Sequence, residues 1–268
     1  MVLNMRRIQS NYAVSLTQSI DWDASKAINA LIAGSRGMGK SYMTMALMLR
    51  LANLSPPAQI FAIDYKQSDI SMLSKLLPNG RIAFSKDGIF DLLHQYIKLM
   101  KKRRKYINSQ NKFGMTANKL KMPLFYLIYD EFGAFTSVLN SKEKKDHDAL
   151  LSQIMLLGRQ YNFGIILISQ QVSVGNSGLN SNLKEQCGLI IHMGTATKEA
   201  LRITFGNEMD LYTNYLGIGE GQLWMQGLTN GFTLPFVAED LSNVDLWLAF
   251  KDVFADSQND ERYLYMMS

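Results

Sequence analysis

Cysteine is nearly absent. Cys187 stands alone among 268 residues, so no disulfide can close within the chain, and with three histidines there is no Cys/His spacing that reads as a zinc site. A reducing, cytoplasmic setting is the expectation. Long apolar runs are missing as well. Runs such as Leu124 to Tyr129 and Ile165 to Ile168 fall far short of the roughly 20 residues that span a bilayer. The N-terminal stretch with Arg6 and Arg7 leads into Asn11, Ser15 and Gln18 instead of a signal-peptide core, so membrane association is expected only through a partner. Neither sign of charge dominates: 28 Lys plus Arg against 23 Asp plus Glu gives +5, which permits a polyanionic partner without requiring one. With 47% hydrophobic and 19% charged residues, the chain is neither disordered nor fibrous and can bury one large core.

What is present is a rhythm. Short apolar runs at Ala27–Ala33, Ile60–Asp64, Arg81–Phe84, Leu124–Asp130, Gly164–Ser169 and Gly188–Met193 alternate with segments whose apolar residues recur every three or four positions, at Ser41–Leu51, Ile89–Ile107, Asp148–Gln160 and Lys198–Phe205. Unbroken apolar strands separated by helices predict an α/β fold with a mostly parallel sheet covered on both faces. Gly221–Gln226 and Phe232–Ala238 bracket Thr229-Asn230-Gly231, which predicts a C-terminal hairpin. The polar stretches Asn108–Lys121 and Val172–Leu183 read as mobile surface loops. No boundary divides the chain, so one domain over 1–268 is expected, with an acidic tail from about 239.

The segment Gly34-Ser35-Arg36-Gly37-Met38-Gly39-Lys40-Ser41 fits G-x-x-x-x-G-K-[ST] and lies after an apolar strand and before an apolar-periodic helix. Its glycines let successive backbone N–H groups turn toward phosphate oxygens at a helix N-terminus. Lys40 would reach the β- and γ-phosphates of ATP, Ser41 would ligate Mg²⁺, and Tyr42 follows on the helix. Arg36 is a further candidate contact. At the end of another apolar run stand Asp130 and Glu131. The first would hold the water shell of the metal, and the second would orient or deprotonate the attacking water. Paired acids favour hydrolysis over mere binding.

Beyond these motifs the chain resembles the motor domain of the FtsK/SpoIIIE DNA translocases, within the wider group that includes conjugative coupling proteins. The resemblance runs from about Val14 to Val237. Ala62-Ile63-Asp64-Tyr65-Lys66 is similar to the family's I-D-P-K, with Tyr65 in place of proline. Met100 to Tyr106 is similar to E-M-x-x-R-Y, Gly158 to Gln171 to R-A-x-G-I-H-L-x-x-A-T-Q-R, and Leu216 to Leu223 to L-G-x-G-D-M-L. The resemblance implies a RecA-like P-loop fold, a strand ending in Gln170 between the Lys40 and Asp130 strands, and a hexameric ring that walks along double-stranded DNA. Gln170 would sense the γ-phosphate. Arg159, by similarity to coupling proteins, is the candidate arginine finger, with a surface ion pair as the alternative. Asp64 and Lys66 are positioned for the nucleotide or a subunit boundary. The family's D-S-R reads Lys198-Glu199-Ala200, a departure that leaves only Arg202 nearby.

Between Lys98 and Lys121 the chain is basic and acid-free. Lys101, Lys102, Arg103, Arg104, Lys105, Lys112 and Lys119 are the candidate DNA-binding residues, with a solvated helix end as the competing account. Aromatic partners are sparse, so binding without base readout is expected. These readings converge on an ATP- and Mg²⁺-dependent DNA translocase serving plasmid or mobile-element transfer, replication or segregation, with membrane-docking, relaxase or replication proteins as partners. A packaging or secretion ATPase and a nucleotide-gated DNA-binding scaffold with little turnover stand as alternatives.

Overall fold

The structure, a computed structural model, describes residues 10–17, 19–170, 179, 181–255 and 257–265. A short antiparallel pair, β1 (Ala13–Ser15) and β2 (Asp21–Asp23), precedes the main sheet. That sheet is built from β3 (Ala30–Gly34), β4 (Gln59–Asp64), β5 (Ile82–Ala83), β6 (Phe125–Asp130), β7 (Phe163–Ser169), β8 (Leu189–Met193), β9 (Glu220–Met225) and β10 (Leu234–Val237). The helices are α1 (Lys40–Ala52), α2 (Lys86–Asn108), α3 (Phe132–Thr136), α4 (Ser141–Tyr161), α5 (Ser181–Lys184), α6 (Lys198–Phe205), α7 (Leu246–Phe254) and α8 (Asp260–Leu264), with a 3-10 helix over Asp69–Lys75.

The strand order is β10-β9-β8-β3-β7-β6-β4-β5. From β8 to β5 all neighbours run parallel, and β9 and β10 add the antiparallel hairpin expected around Asn230-Gly231. Crossover helices cover both faces, which is why the central strands are apolar on both sides. One face carries Ala30, Ile32, Ile128 and Ile191 and packs against α1 and the Phe250 and Phe254 rings of α7. The other carries Leu31, Phe61, Leu127 and Ile190 and packs against α2 and α4. Parallel pairing brings Gly34, Asp64, Asp130, Ser169 and Met193 to one edge of the sheet. The opposite edge lies about 20 Å away, at roughly 3.3 Å per residue over a six-residue strand.

Several expectations change. The strand expected over Arg81–Phe84 shrinks to two residues, because Arg81 turns inward and donates to Gln258 and Gln59, both at 2.9 Å, while Ser85 already caps α2. The helix expected from Asp148 starts seven residues earlier at Ser141, where Asn140 and Glu143 form a capping box ahead of a first turn too polar to show apolar periodicity. The acidic C-terminal stretch does not trail away. It folds into α7 and α8, and Gln258 accepts from the Ile60 N–H at 2.8 Å. The loop 108–121, read as mobile, is tied down where the Ala117 N–H donates to Gln160 O at 3.0 Å and Asn118 donates to Ser25. Of the loop Val172–Leu183, residues 172–178 and 180 lie outside the described residues.

The largest correction concerns Arg103. Proposed for DNA, it is fully buried at the far end of α2. Its guanidinium donates to the carbonyls of Pro123 (2.7 Å), Tyr161 (3.0 Å), Tyr263 (2.9 Å) and Leu264 (3.0 Å) and lies over the stacked rings of Phe125 and Phe163. Burial lowers its pKa to about 9, and the surrounding carbonyls satisfy it. Arg103 is a structural clasp that binds the ends of α4 and α8 to the starts of β6 and β7.

Candidate active site

The loop between β3 and α1 forms a shallow cradle at the edge where the parallel strands end. Gly34 passes so close to β8 that a Cβ there would stand 2.4 Å from Met193 O. Gly39, at φ +96°, turns the chain into the helix in a conformation that side chains rarely adopt. Ser35, Arg36, Gly37, Ser41 and Tyr42 face solvent, Met38 and Gly39 are half-buried, and Lys40 is buried. The Lys40 ammonium donates to Gly34 O at 2.6 Å and Ser35 O at 2.8 Å, so its charge sits inside the loop it is expected to serve. Burial lowers its pKa, and the neighbouring Glu131 and Asp130 oppose that shift. The Tyr42 ring turns aside to line an apolar groove with Met72 and Trp247. The Arg36 side chain remains in solvent.

Across the cradle stands β6. In a regular strand Asp130 and Glu131 would point to opposite faces. Glu131 instead adopts a left-handed conformation (φ 49°, ψ 52°) as it caps α3, which breaks the alternation at the acid pair. That conformation costs a non-glycine residue on the order of 1–2 kcal/mol and is tolerated only where surroundings enforce it. Glu131 pairs with Lys66 at 3.5 Å. Ser68 bridges the two strand-end aspartates, donating to Asp130 Oδ2 at 3.0 Å and sharing Asp64 Oδ2 at 3.1 Å. Burial pushes the Asp130 carboxyl above the usual range, the Ser68 hydrogen bond pulls it back, and the charges of Asp64 and Glu131 push it further up. Asp64, wholly buried, is raised by the same desolvation.

The expected constellation is therefore largely one site. Lys40, Ser41, Asp130 and Glu131 meet at a single edge, and β7, ending at Ser169 with half-buried Gln170 next, lies between β3 and β6 as the resemblance implied. Arg159 does not join them. It is exposed on the last turn of α4, at the opposite edge. Ser68 was not legible as a site residue, since a serine opening a 3-10 helix carries no signal of its own. Among the described residues no group of three or more His, Cys, Asp or Glu forms a ready metal cage. Ser41 and Asp130 are the residues that would hold a Mg²⁺ ion here, together with substrate phosphates. Such an ion would supply charge neutralisation at the phosphoryl oxygens.

A Gly-rich cradle on a parallel sheet, with a buried lysine and an acid pair facing it, defines an α/β P-loop ATPase. The family model described as "FtsK/SpoIIIE family" matches residues 14–132, from the N-terminal hairpin through both nucleotide motifs, and the chain is FtsK/SpoIIIE-like over that segment. The "Ftsk domain-containing protein YdcQ" of Bacillus subtilis is 24% identical over 216 residues, 80% of this chain; the chain spans 44% of that relative's length. Two solved structures share the fold. The pCW3 conjugation coupling protein TcpA in monomer form with ATPγS has a TM-score of 0.68 at 15% identity, covering 91% of this chain and 71% of that one. The cytoplasmic domain of the Thermomonospora curvata type VII secretion ATPase EccC has a TM-score of 0.72 at 20% identity, covering 97% of this chain and 33% of that one. Among the described residues no helix is long and apolar enough to cross a membrane.

Proposed function

We propose that this ATPase is a DNA motor in which hydrolysis at one edge of the sheet drives movement of DNA held by basic surface elsewhere on a ring of subunits. One observation carries the reading: a hydrolytic set at one edge coexists with an acid-free, solvent-facing basic stretch at the other. Lys98, Lys101, Lys102, Lys105, Lys112 and Lys119 are exposed and Arg104 is half-buried, at the end of α2 and in the loop after it. Such a field attracts phosphates regardless of base sequence. Double-stranded DNA is the proposed substrate, and conjugation or another transfer process on a plasmid or mobile element the proposed setting.

The position of Arg159 supports the ring. Its own cradle lies across the sheet, so a guanidinium on this turn of α4 serves a γ-phosphate only in a neighbouring subunit. A hexamer is the proposed assembly. In it, Glu131 of one subunit and Arg159 of the next would complete each site, with Mg²⁺ held as above and Gln170 reading the terminal phosphate.

ATPase rates with double- and single-stranded DNA across a salt series, alongside molecular mass with nucleotide, test this reading. Double-stranded DNA should raise the rate, high salt should remove the effect, and Lys101→Glu with Lys102→Glu should lose it. A rate indifferent to every DNA overturns translocation, and stimulation by a polypeptide would favour the secretion reading. Arg159→Ala and Glu131→Gln subunits should each be inactive alone and regain activity when mixed, because some sites then pair an intact Glu131 with a neighbour's intact Arg159. No recovery on mixing would refute action in trans.

A further inference from the structure

The groups that face the terminal phosphate all lie to one side of the P-loop strand. β7, with Gln170 beyond it, neighbours β3, then comes β6 with Asp130 and Glu131, then β4 leading to Lys66. A triphosphate seated in the cradle with its γ end toward Glu131 must carry its nucleoside the other way, toward β8. On that side the segment 212–219 meets the P-loop. The Gly219 N–H donates to Met38 O at 3.2 Å, and a Cβ on Gly39 would stand 3.4 Å from Gly219 N. Thr195, just past β8, holds the same segment from below. Its N–H donates to Leu216 O at 3.0 Å, its hydroxyl lies 2.9 Å from that oxygen, and the Leu216 N–H donates to its Oγ1 at 2.7 Å. Glu220 accepts from the Gly217 N–H at 2.7 Å.

The backbone here is fixed, yet it presents Tyr215 at 81% exposure and Ile218 at 76%. A lone exposed apolar side chain needs no explanation, but an aromatic ring and a branched aliphatic flanking a phosphate cradle, on a loop anchored at both ends, have one. We infer that Tyr215 and Ile218 form the nucleobase subsite of this ATPase, with the phenol ring stacking on the base and Ile218 covering its edge. The inference rests on the ATPase reading and adds to it the residues that tell a nucleoside triphosphate from a bare polyphosphate. The apolar groove of Tyr42, Met72 and Trp247 is the rival location. It lies beside the 3-10 helix that follows β4, on the flank of the acid pair, which is the wrong side for the base.

Equilibrium binding of ATP and of inorganic tripolyphosphate separates the possibilities. Tyr215→Ala should weaken ATP about tenfold and leave tripolyphosphate unchanged, Tyr215→Phe should restore ATP, and Ile218→Ser should show a smaller loss confined to ATP. Both positions face solvent in the folded chain, so the variants keep the fold. Wild-type ATP affinity in Tyr215→Ala, an equal loss for tripolyphosphate, or an ATP-specific loss in Trp247→Ala instead would overturn the assignment. A wild-type protein that binds neither compound would defeat the ATPase reading itself, a result distinct from any of these.

Discussion

Each edge of the sheet buries a basic side chain, Lys40 at one and Arg103 at the other, and the two are held in opposite ways. At the edge where the parallel strands end, Lys40 lies against carbonyls of its own loop, and Lys66 holds Glu131 through a half-exposed pair. At the other edge Arg103 is sealed among four carbonyls and two rings. Arg103 commits its donors to carbonyls of three separate parts of the chain and has no capacity left for a ligand, whereas Lys40 rests on two carbonyls of one loop and can exchange them for phosphate. Burial with complete satisfaction marks a structural charge, and burial beside an open cradle marks a functional one.

The widest test of that contrast is to remove one charge from each edge. Lys40→Ala should abolish nucleotide binding. Glu131→Gln should keep binding and lower turnover by about 10²–10⁴-fold, the range for loss of a positioned general base, as measured by nucleotide titration and steady-state ATPase. Neither should lower the unfolding free energy much. Arg103→Ala should do the reverse, costing about 3–5 kcal/mol in denaturant unfolding by stranding the carbonyls of Tyr161, Tyr263 and Leu264. Lys101→Ala and Lys102→Ala, two and one positions before it and exposed, should change stability by less than about 0.5 kcal/mol. Each should instead lower the salt slope of DNA binding by about one counterion. If Arg103→Ala unfolds no more easily than Lys102→Ala, the distinction between the edges fails.

That pair of neighbours also shows where sequence reading ends. A P-loop carries its chemistry in consecutive residues, so its strand, turn and helix were legible together, and the acid pair was marked by the apolar run before it. In Lys101-Lys102-Arg103-Arg104-Lys105, five cations look alike as text. Helical rotation alone turns the third inward, and what receives it comes from Pro123, Tyr161 and the C-terminal Tyr263 and Leu264, up to 161 residues away. The C-terminal stretch was misread for the same reason. Its acids are local, but its partners on β4 and α2 are not. The sheet order that places Gln170 between cradle and acids came from resemblance, since apolar strands of equal length do not announce their neighbours.

A subtler comparison uses pH. As the proposed metal ligand Asp130 must be ionised, and burial holds its pKa above the ordinary range near 4, so the acid limb of the ATPase profile should lie above that value. Ser68→Ala removes a hydrogen bond that favours the charged form and should move the limb higher still. Stability runs the other way. A carboxyl whose folded pKa exceeds its unfolded one stabilises the fold below the unfolded value and loses that contribution as pH rises through the folded value. Asp64→Asn should therefore remove the gain in melting temperature that this carboxyl is expected to contribute on mild acidification. An acid limb unmoved by Ser68→Ala would show that the Asp64–Ser68–Asp130 bridge does not set the protonation of the metal-side carboxylate.

The smallest effect is expected at Lys66. Its pair with Glu131 is 3.5 Å long and the lysine is 45% exposed, so water screens it and its stability contribution should stay under about 1 kcal/mol. Its value lies in direction: Glu131 already occupies a left-handed backbone position, and the lysine restrains where the carboxylate swings from there. Lys66→Ala should therefore leave denaturant midpoints nearly unchanged and reduce kcat a few-fold, with nucleotide affinity retained. A loss of stability comparable to that of Arg103→Ala, with kcat intact, would place Lys66 among the structural cations and erase the division between Arg103 and the cations that serve the cradle.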